Sequence, residues 1–108
     1  RGDDRLTLKD GSTLIRVPLA DIRWIDAAGD YVVVHTADAN HVARASLREL
    51  EERLPPERFV RIHRSTIVHA RFVVRLRPHI NGEYFVDLDG GHELKLSRGY
   101  REQLDKLA

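Results

Sequence analysis

The chain contains no cysteine and no methionine. Without cysteine, disulfide staples and thiolate metal sites are excluded. Methionine is missing even at position 1, so the sequence is expected to be a domain cut from a longer protein. Aromatic residues are few, with one Trp, three Tyr and three Phe, and only Phe59 alternates with Arg along one strand face. That leaves little stacking platform for single-stranded nucleic acid. No stretch approaches the roughly 20 uninterrupted apolar residues of a membrane span, so no membrane partner is expected. At 108 residues, 42% apolar and 32% charged, the composition is that of one soluble globular domain.

One further absence is local. From Arg58 to Gly82 there is no Asp or Glu, while Arg58, Arg61, Arg64, Arg71, Arg75 and Arg77 contribute six positive charges. The other 83 residues hold the remaining 12 basic and all 17 acidic side chains, a net −5, so the overall +1 conceals a basic block inside an acidic body. Such a block creates a local positive potential that attracts polyanions whatever the total charge.

Residues 1–4 read as a disordered leftover, and the domain as 5–108. Short alternating segments follow, punctuated by turn signals. Arg5 to Lys9 and Ser12 to Val17 flank Asp10-Gly11, and Ile22 to Ala28 and Tyr31 to Thr36 flank Gly29-Asp30. His41 to Ala45 extends the second hairpin into a meander, and Asn81-Gly82 and Asp89-Gly90-Gly91 separate Phe72 to Arg77, Tyr84 to Leu88 and His92 to Leu96. Ser46 and Glu49 form a capping-box pattern ahead of Leu47, Leu50 and Leu54, which predicts a short helix stopped by Pro55-Pro56. A second helix is expected from Ser97, with Tyr100, Leu104 and Leu107 on one face. The fold class is therefore mostly β, with antiparallel hairpins, a meander and two short helices.

Three segments carry chemistry. Phe59 to Ser65 reads as a half-buried strand, with Val60 and Ile62 inward and Arg61 and His63 outward. After it, Lys95 and Ser97 point away from a core face made by Leu94 and Leu96, with Ser97 as N-cap and Arg98 in the first helical turn. A cation there opposes the helix dipole, a conflict that a bound phosphate would resolve. The third is the hairpin tip Gly29-Asp30-Tyr31, where Gly and Asp also serve the turn itself. The six histidines lack metal-site spacing, so no metal site is expected. No nucleophile elbow or phosphate loop surrounds Ser65, and Asp87 and Asp89 read as solvated strand-end residues, so neither an enzyme nor a cofactor is expected.

The series Ile25-Asp26-Ala27-Ala28-Gly29-Asp30-Tyr31-Val32, Ser46-Leu47-Arg48-Glu49-Leu50-Glu51, Phe59-Val60-Arg61-Ile62-His63-Arg64-Ser65, Asp89-Gly90 and Leu96-Ser97-Arg98-Gly99-Tyr100 resembles the LytTR DNA-binding domain from about Arg5 to Leu107. The resemblance implies an elongated, mostly β fold acting as the output domain of a bacterial, cytoplasmic transcription regulator. It also implies an N-terminal receiver or sensor domain in a two-component phosphorelay, and double-stranded DNA as partner, bound through successive major grooves on repeated sites. By position, Asp30, Arg64 and Arg98 become base-reading candidates, and Tyr31, Arg61, His63, Lys95 and Ser97 phosphate or supporting contacts. Arg64 and Arg98 suit guanine, whose O6 and N7 accept a bidentate guanidinium. Asp30 can accept from cytosine N4 but is repelled by phosphate. His69 stands where the family most often has Asn. The competing reading is a regulatory protein-interaction module that uses a basic face. The domain, having no heptads, is expected to be a monomer that pairs on DNA.

Overall fold

Neighbouring residues in a strand point to opposite faces, so the adjacent apolar pairs Trp24-Ile25 and Ile67-Val68 require strands buried on both sides. The computed structural model, which describes residues 4–108, has such strands at its centre. Residues 1–3, most of the stretch read as a disordered leftover, lie outside the described residues.

In chain order, β1 (Arg5–Asp10) and β2 (Thr13–Pro18) form a hairpin. Next come β3 (Ile22–Ala28), β4 (Tyr31–Thr36), β5 (Asn40–Arg44) and α1 (Leu47–Arg53). They are followed by β6 (Phe59–His63), β7 (Thr66–His69), β8 (Val73–Pro78), β9 (Tyr84–Leu88), β10 (Glu93–Leu96) and α2 (Leu104–Leu107). The strands make a two-stranded sheet β1-β2, a central sheet ordered β5-β4-β3-β7-β6, and a three-stranded sheet β10-β9-β8. Every pairing among them is antiparallel.

Two cores lie on opposite faces of the central sheet. On one, Leu6, Leu8 and Val17 of the first hairpin and Leu47, Leu50 and Leu54 of the α1 region pack on Ile25, Val32, Val34 and Ile67. On the other, Val86, Leu88, Leu96 and Leu107 pack on Trp24, Val60, Ile62 and Val68. The predicted α1 is present with its full capping box: Ser46 Oγ accepts from the Glu49 N–H at 3.1 Å, and Glu49 Oε1 accepts from the Ser46 N–H at 2.9 Å.

Two expectations are corrected. Phe59 to Ser65 is not one strand but the first arm and turn of a hairpin whose second arm is β7. No Gly, Asn or Pro marks that turn, because side-chain hydrogen bonds described below hold it. The second helix is mostly 3-10: Arg98–Gln103 is of that type, with a kink at Tyr100 (φ −115°, ψ 17°), and only Leu104–Leu107 is α. The Ser97 side chain makes no cap hydrogen bond, so the dipole argument for an anion at Arg98 lapses.

His69 is 1% exposed, stacks on Phe59 with ring centroids 4.3 Å apart, and shares a 2.8 Å hydrogen bond from Nδ1 to the Ile22 carbonyl oxygen. The carbonyl only accepts, so Nδ1 carries the proton and ties the end of β7 to the start of β3. This is a donor role that an Asn amide can also fill. Burial pushes the imidazole below its ordinary value, the hydrogen bond to Ile22 opposes that, and the charges of Arg58 and Arg71 add to it. A histidine lowered in this way contributes stability that is complete above the unfolded value of about 6.5 and is lost as pH falls below it. In urea melts from pH 7.5 to 5.5, stability of the wild type should therefore fall relative to His69→Asn, whereas His69→Ala should lose roughly 2–3 kcal/mol at neutral pH. Parallel pH profiles for wild type and His69→Asn would refute the neutral, donating histidine.

Candidate nucleic-acid interface

The register of the central sheet sends two turns out of the same side. Ala28 pairs with Tyr31, leaving Gly29-Asp30 as the tip, with Gly29 at φ +61°. Beside it, Asp26 of β3 pairs with Thr66, and the Ala27 N–H donates to the Ser65 carbonyl at 2.9 Å, so the β6–β7 turn abuts the end of β3. A third segment joins them where the Ser97 N–H donates to the Ile62 carbonyl at 2.9 Å, which fixes Ser97-Arg98 beside the end of β6. Residues as distant in sequence as Asp30, Arg64 and Arg98 thus emerge from neighbouring strand ends.

Arg61 builds the middle turn. Its Nε donates to the His63 carbonyl at 2.8 Å, Nη2 donates to the Arg64 carbonyl, and Nη1 pairs with Glu51 of α1 at 2.8 Å. The side chain is only 18% exposed. Periodicity points Arg61 outward, and the family resemblance makes it a phosphate or supporting contact; its guanidinium is engaged by protein oxygens, so it positions the turn that presents Arg64. His63 closes the other half, because the Ser65 backbone N–H donates to His63 Nδ1 at 3.1 Å. Nδ1 is therefore the acceptor, which leaves Nε2–H as the available donor.

The remaining predicted residues divide by exposure and pairing. Arg64 and Arg98 are exposed, and neither makes an ion pair among the described residues. Asp30 is exposed, with Arg44 Nη2 3.6 Å from its carboxylate, so a cation sits beside the one acidic candidate. Tyr31 is 46% exposed, and the Arg44 guanidinium lies 5.7 Å from its ring centroid. Lys95 Nζ is 3.2 Å from Glu83 Oε1, which neutralises it in part. Ser97 is half-buried and contributes its backbone.

The acid-free block does not form one basic face. Arg75 lies opposite Asp87 in the β8–β9 register, and both Arg75 and Arg77 donate to the Asp87 carboxylate at 2.7–2.8 Å. Arg77 also pairs with Glu93. Asp87 is 8% exposed, and the Arg77 and Arg75 hydrogen bonds hold its carboxyl well below the usual carboxylate range. It is a buried anchor, not the solvated strand-end residue its position suggests. Arg58 and Arg71 flank the His69 end of the hairpin, away from Arg64, so strand pairing disperses the six charges. Among the described residues, no group of three or more His, Cys, Asp or Glu is arranged to hold a metal, and no helix is long and apolar enough to cross a membrane.

A family model described as the LytTr DNA-binding domain matches residues 12–108. The chain belongs to the LytTR family. Among similar proteins, the Bacillus subtilis Sensory transduction protein LytT is 29% identical over 106 residues, 98% of this chain and 44% of its own length. The CO-responsive transcriptional regulator RcoM of Rhodospirillum rubrum is 37% identical over 84 residues, covering 78% of this chain and 36% of that protein. Transcriptional regulatory protein YpdB of Escherichia coli K12 is 28% identical over 108 residues, 99% of this chain and 44% of its length. This LytTR domain thus spans less than half the length of these curated relatives. A solved structure, described as the LytTr DNA-binding domain of a putative methyl-accepting/DNA response regulator from Bacillus cereus, superposes with a TM-score of 0.84. It is 27% identical, with 96% of this chain and 95% of that one covered. The chain is a DNA-binding domain of a family of transcription regulators, and its LytTR fold is the mostly β architecture expected from the turn spacing.

The role of Arg61 within the LytTR domain is measurable without DNA. Arg61→Ala should destabilise the free protein by about 1.5–3 kcal/mol, the range for hydrogen bonds from a charged donor, and Arg61→Lys should recover little because one ammonium cannot span three acceptors. An unchanged urea midpoint in both variants would return Arg61 to the phosphate-contact reading.

Proposed function

We propose that this LytTR domain reads a specific double-stranded sequence through turn-borne side chains in the major groove. Arg64 and Arg98 pair with guanine, and Asp30 accepts from a cytosine amine. Tyr31, His63, Lys95 and Ser97 supply backbone and supporting contacts, and Arg61 acts one step back by fixing the turn that carries Arg64. The observation that carries this reading is the convergence onto one side of the molecule of two exposed arginines with no ion pair among the described residues, Arg64 from the β6–β7 turn and Arg98 from the start of the 3-10 segment after β10. The longest dimension of the domain, 44 Å, exceeds one helical turn of about 34 Å, which suits contacts in successive grooves of a repeated site.

In the full-length protein the domain is the output module of a cytoplasmic bacterial regulator, joined to an N-terminal receiver or sensor domain. It needs no cofactor and performs no catalysis. A protein-interaction module would need the continuous basic face that the Asp87, Glu93 and Glu51 ion pairs break up.

Selection of bound duplexes from a random pool should yield a defined motif. Arg64→Ala and Arg98→Ala should each relax one position of that motif and weaken binding by about 1–3 kcal/mol, while affinity of the wild type falls steeply with salt. Failure to enrich any motif, or a flat salt dependence, would overturn sequence-specific DNA binding.

A further inference from the structure

The turn between β8 and β9, residues 79–83, belongs to none of the three predicted site segments, yet it shares their side of the molecule. Pro78 pairs with Tyr84, and Tyr84 pairs with Leu96, so the turn emerges where β10 ends and Ser97-Arg98 begins. Contact there is close. A Cβ added to Gly82 would lie 3.2 Å from Arg98 Cγ and 3.1 Å from Arg101 Cδ. Gly82 itself is at φ +78°, a conformation glycine adopts freely. The missing side chain lets the turn lie against the aliphatic stem of Arg98.

At the tip, Ile80 is 64% exposed. Asn81, at φ 57°, is the one non-glycine residue with positive φ among the described residues. The fold uses neither side chain. Ile80 belongs to neither core, and the Asn81 side chain makes no hydrogen bond among the described residues. Glycine at position 81 would adopt the left-handed backbone at lower cost, and a polar residue at 80 would keep less apolar surface in water. The surroundings suit a polyanion. Arg98 and Arg101 make no ion pair among the described residues, while Glu83, at the base of the turn, is neutralised by Lys95 at 3.2 Å.

We propose that this turn is a further DNA-reading element. Gly82 seats the stem of Arg98, and Asn81 and Ile80 together meet an A·T pair adjacent to the base read by Arg98. The Asn81 amide donates to adenine N7 and accepts from N6, the bidentate pairing that distinguishes adenine in the major groove, while Ile80 covers the thymine methyl. This inference rests on the DNA-binding reading above and adds a specificity determinant to it.

The experiment is duplex selection from a random pool, run in parallel on the wild-type domain, Asn81→Gly and Ile80→Ser, with thermal melts to verify that both variants fold. Asn81→Gly keeps the left-handed backbone and removes only the amide. The wild type should enrich an A·T pair beside the position that Arg98→Ala relaxes. Asn81→Gly should lose that preference and bind the selected duplex roughly tenfold more weakly, with no loss on a duplex already substituted at that pair. Ile80→Ser should give a smaller loss, abolished when uracil, which lacks the methyl group, replaces the thymine. If the wild type enriches a motif and both variants enrich the same motif with equal affinity, the role of the turn is overturned while DNA binding stands. Uniform weakening on every sequence would also overturn base reading by the turn. No motif from the wild type overturns both.

Discussion

A sheet that must bury both of its faces governs this molecule. The central strands cannot expose either side, since Trp24, Val60, Ile62 and Val68 occupy one face and Ile25, Val32, Val34 and Ile67 the other. One face is therefore closed by the N-terminal hairpin and α1, the other by the C-terminal sheet and α2. Because the layers are clamped in this way, strand ends separated by many tens of residues arrive at fixed relative positions. The three turns inherit that rigidity from the strands beneath them, and rigid placement is what reading base edges requires.

Arginine serves two unlike purposes in this fold. Arg75 and Arg77 fold inward on Asp87, and Arg61 spans Glu51 and two backbone carbonyls. Those guanidinium groups complete the structure, and their charge is largely cancelled by nearby carboxylates. Among the described residues, Arg64 and Arg98 have no such partners. Only the second kind adds to the field that a polyanion would feel, so the +6 of the acid-free block overstates the positive surface. A few placed cations in an acidic body favour discrimination over general adhesion to nucleic acid.

Much of the fold was legible because its turns carry explicit residues. Gly29-Asp30 and Asp89-Gly90-Gly91 mark hairpins, and Ser46 with Glu49 marks the start of α1. The β6–β7 hairpin was hidden because Arg64-Ser65 is not a turn sequence; side-chain hydrogen bonds from Arg61 and the ring of His63 to groups two or three residues away do the work that glycine usually does. The signal available was the two groups of apolar positions, Phe59, Val60 and Ile62 in one and Ile67-Val68 in the other, separated by polar residues. The end of the chain misled for a different reason. Spacing of Tyr100, Leu104 and Leu107 fits an α-helix, but Arg98–Gln103 is 3-10 and is interrupted by a kink at Tyr100.

By itself the sequence determined most of the elements and the candidate residues, because periodicity, caps and turn chemistry are local and Asp30, Arg64 and Arg98 sit in recognisable motifs. Only the tertiary structure decided which charges remain available. Ion pairing depends on which strands become neighbours: Arg75 meets Asp87 through the β8–β9 register, and Arg61 meets Glu51 because α1 covers the face of β6 to which Arg61 points. It likewise decided that the β8–β9 turn leans on Arg98, a contact between residues 16 apart that no local pattern encodes. Charge is counted along the chain, but potential is set in space, and the packing of three sheets converts the one into the other.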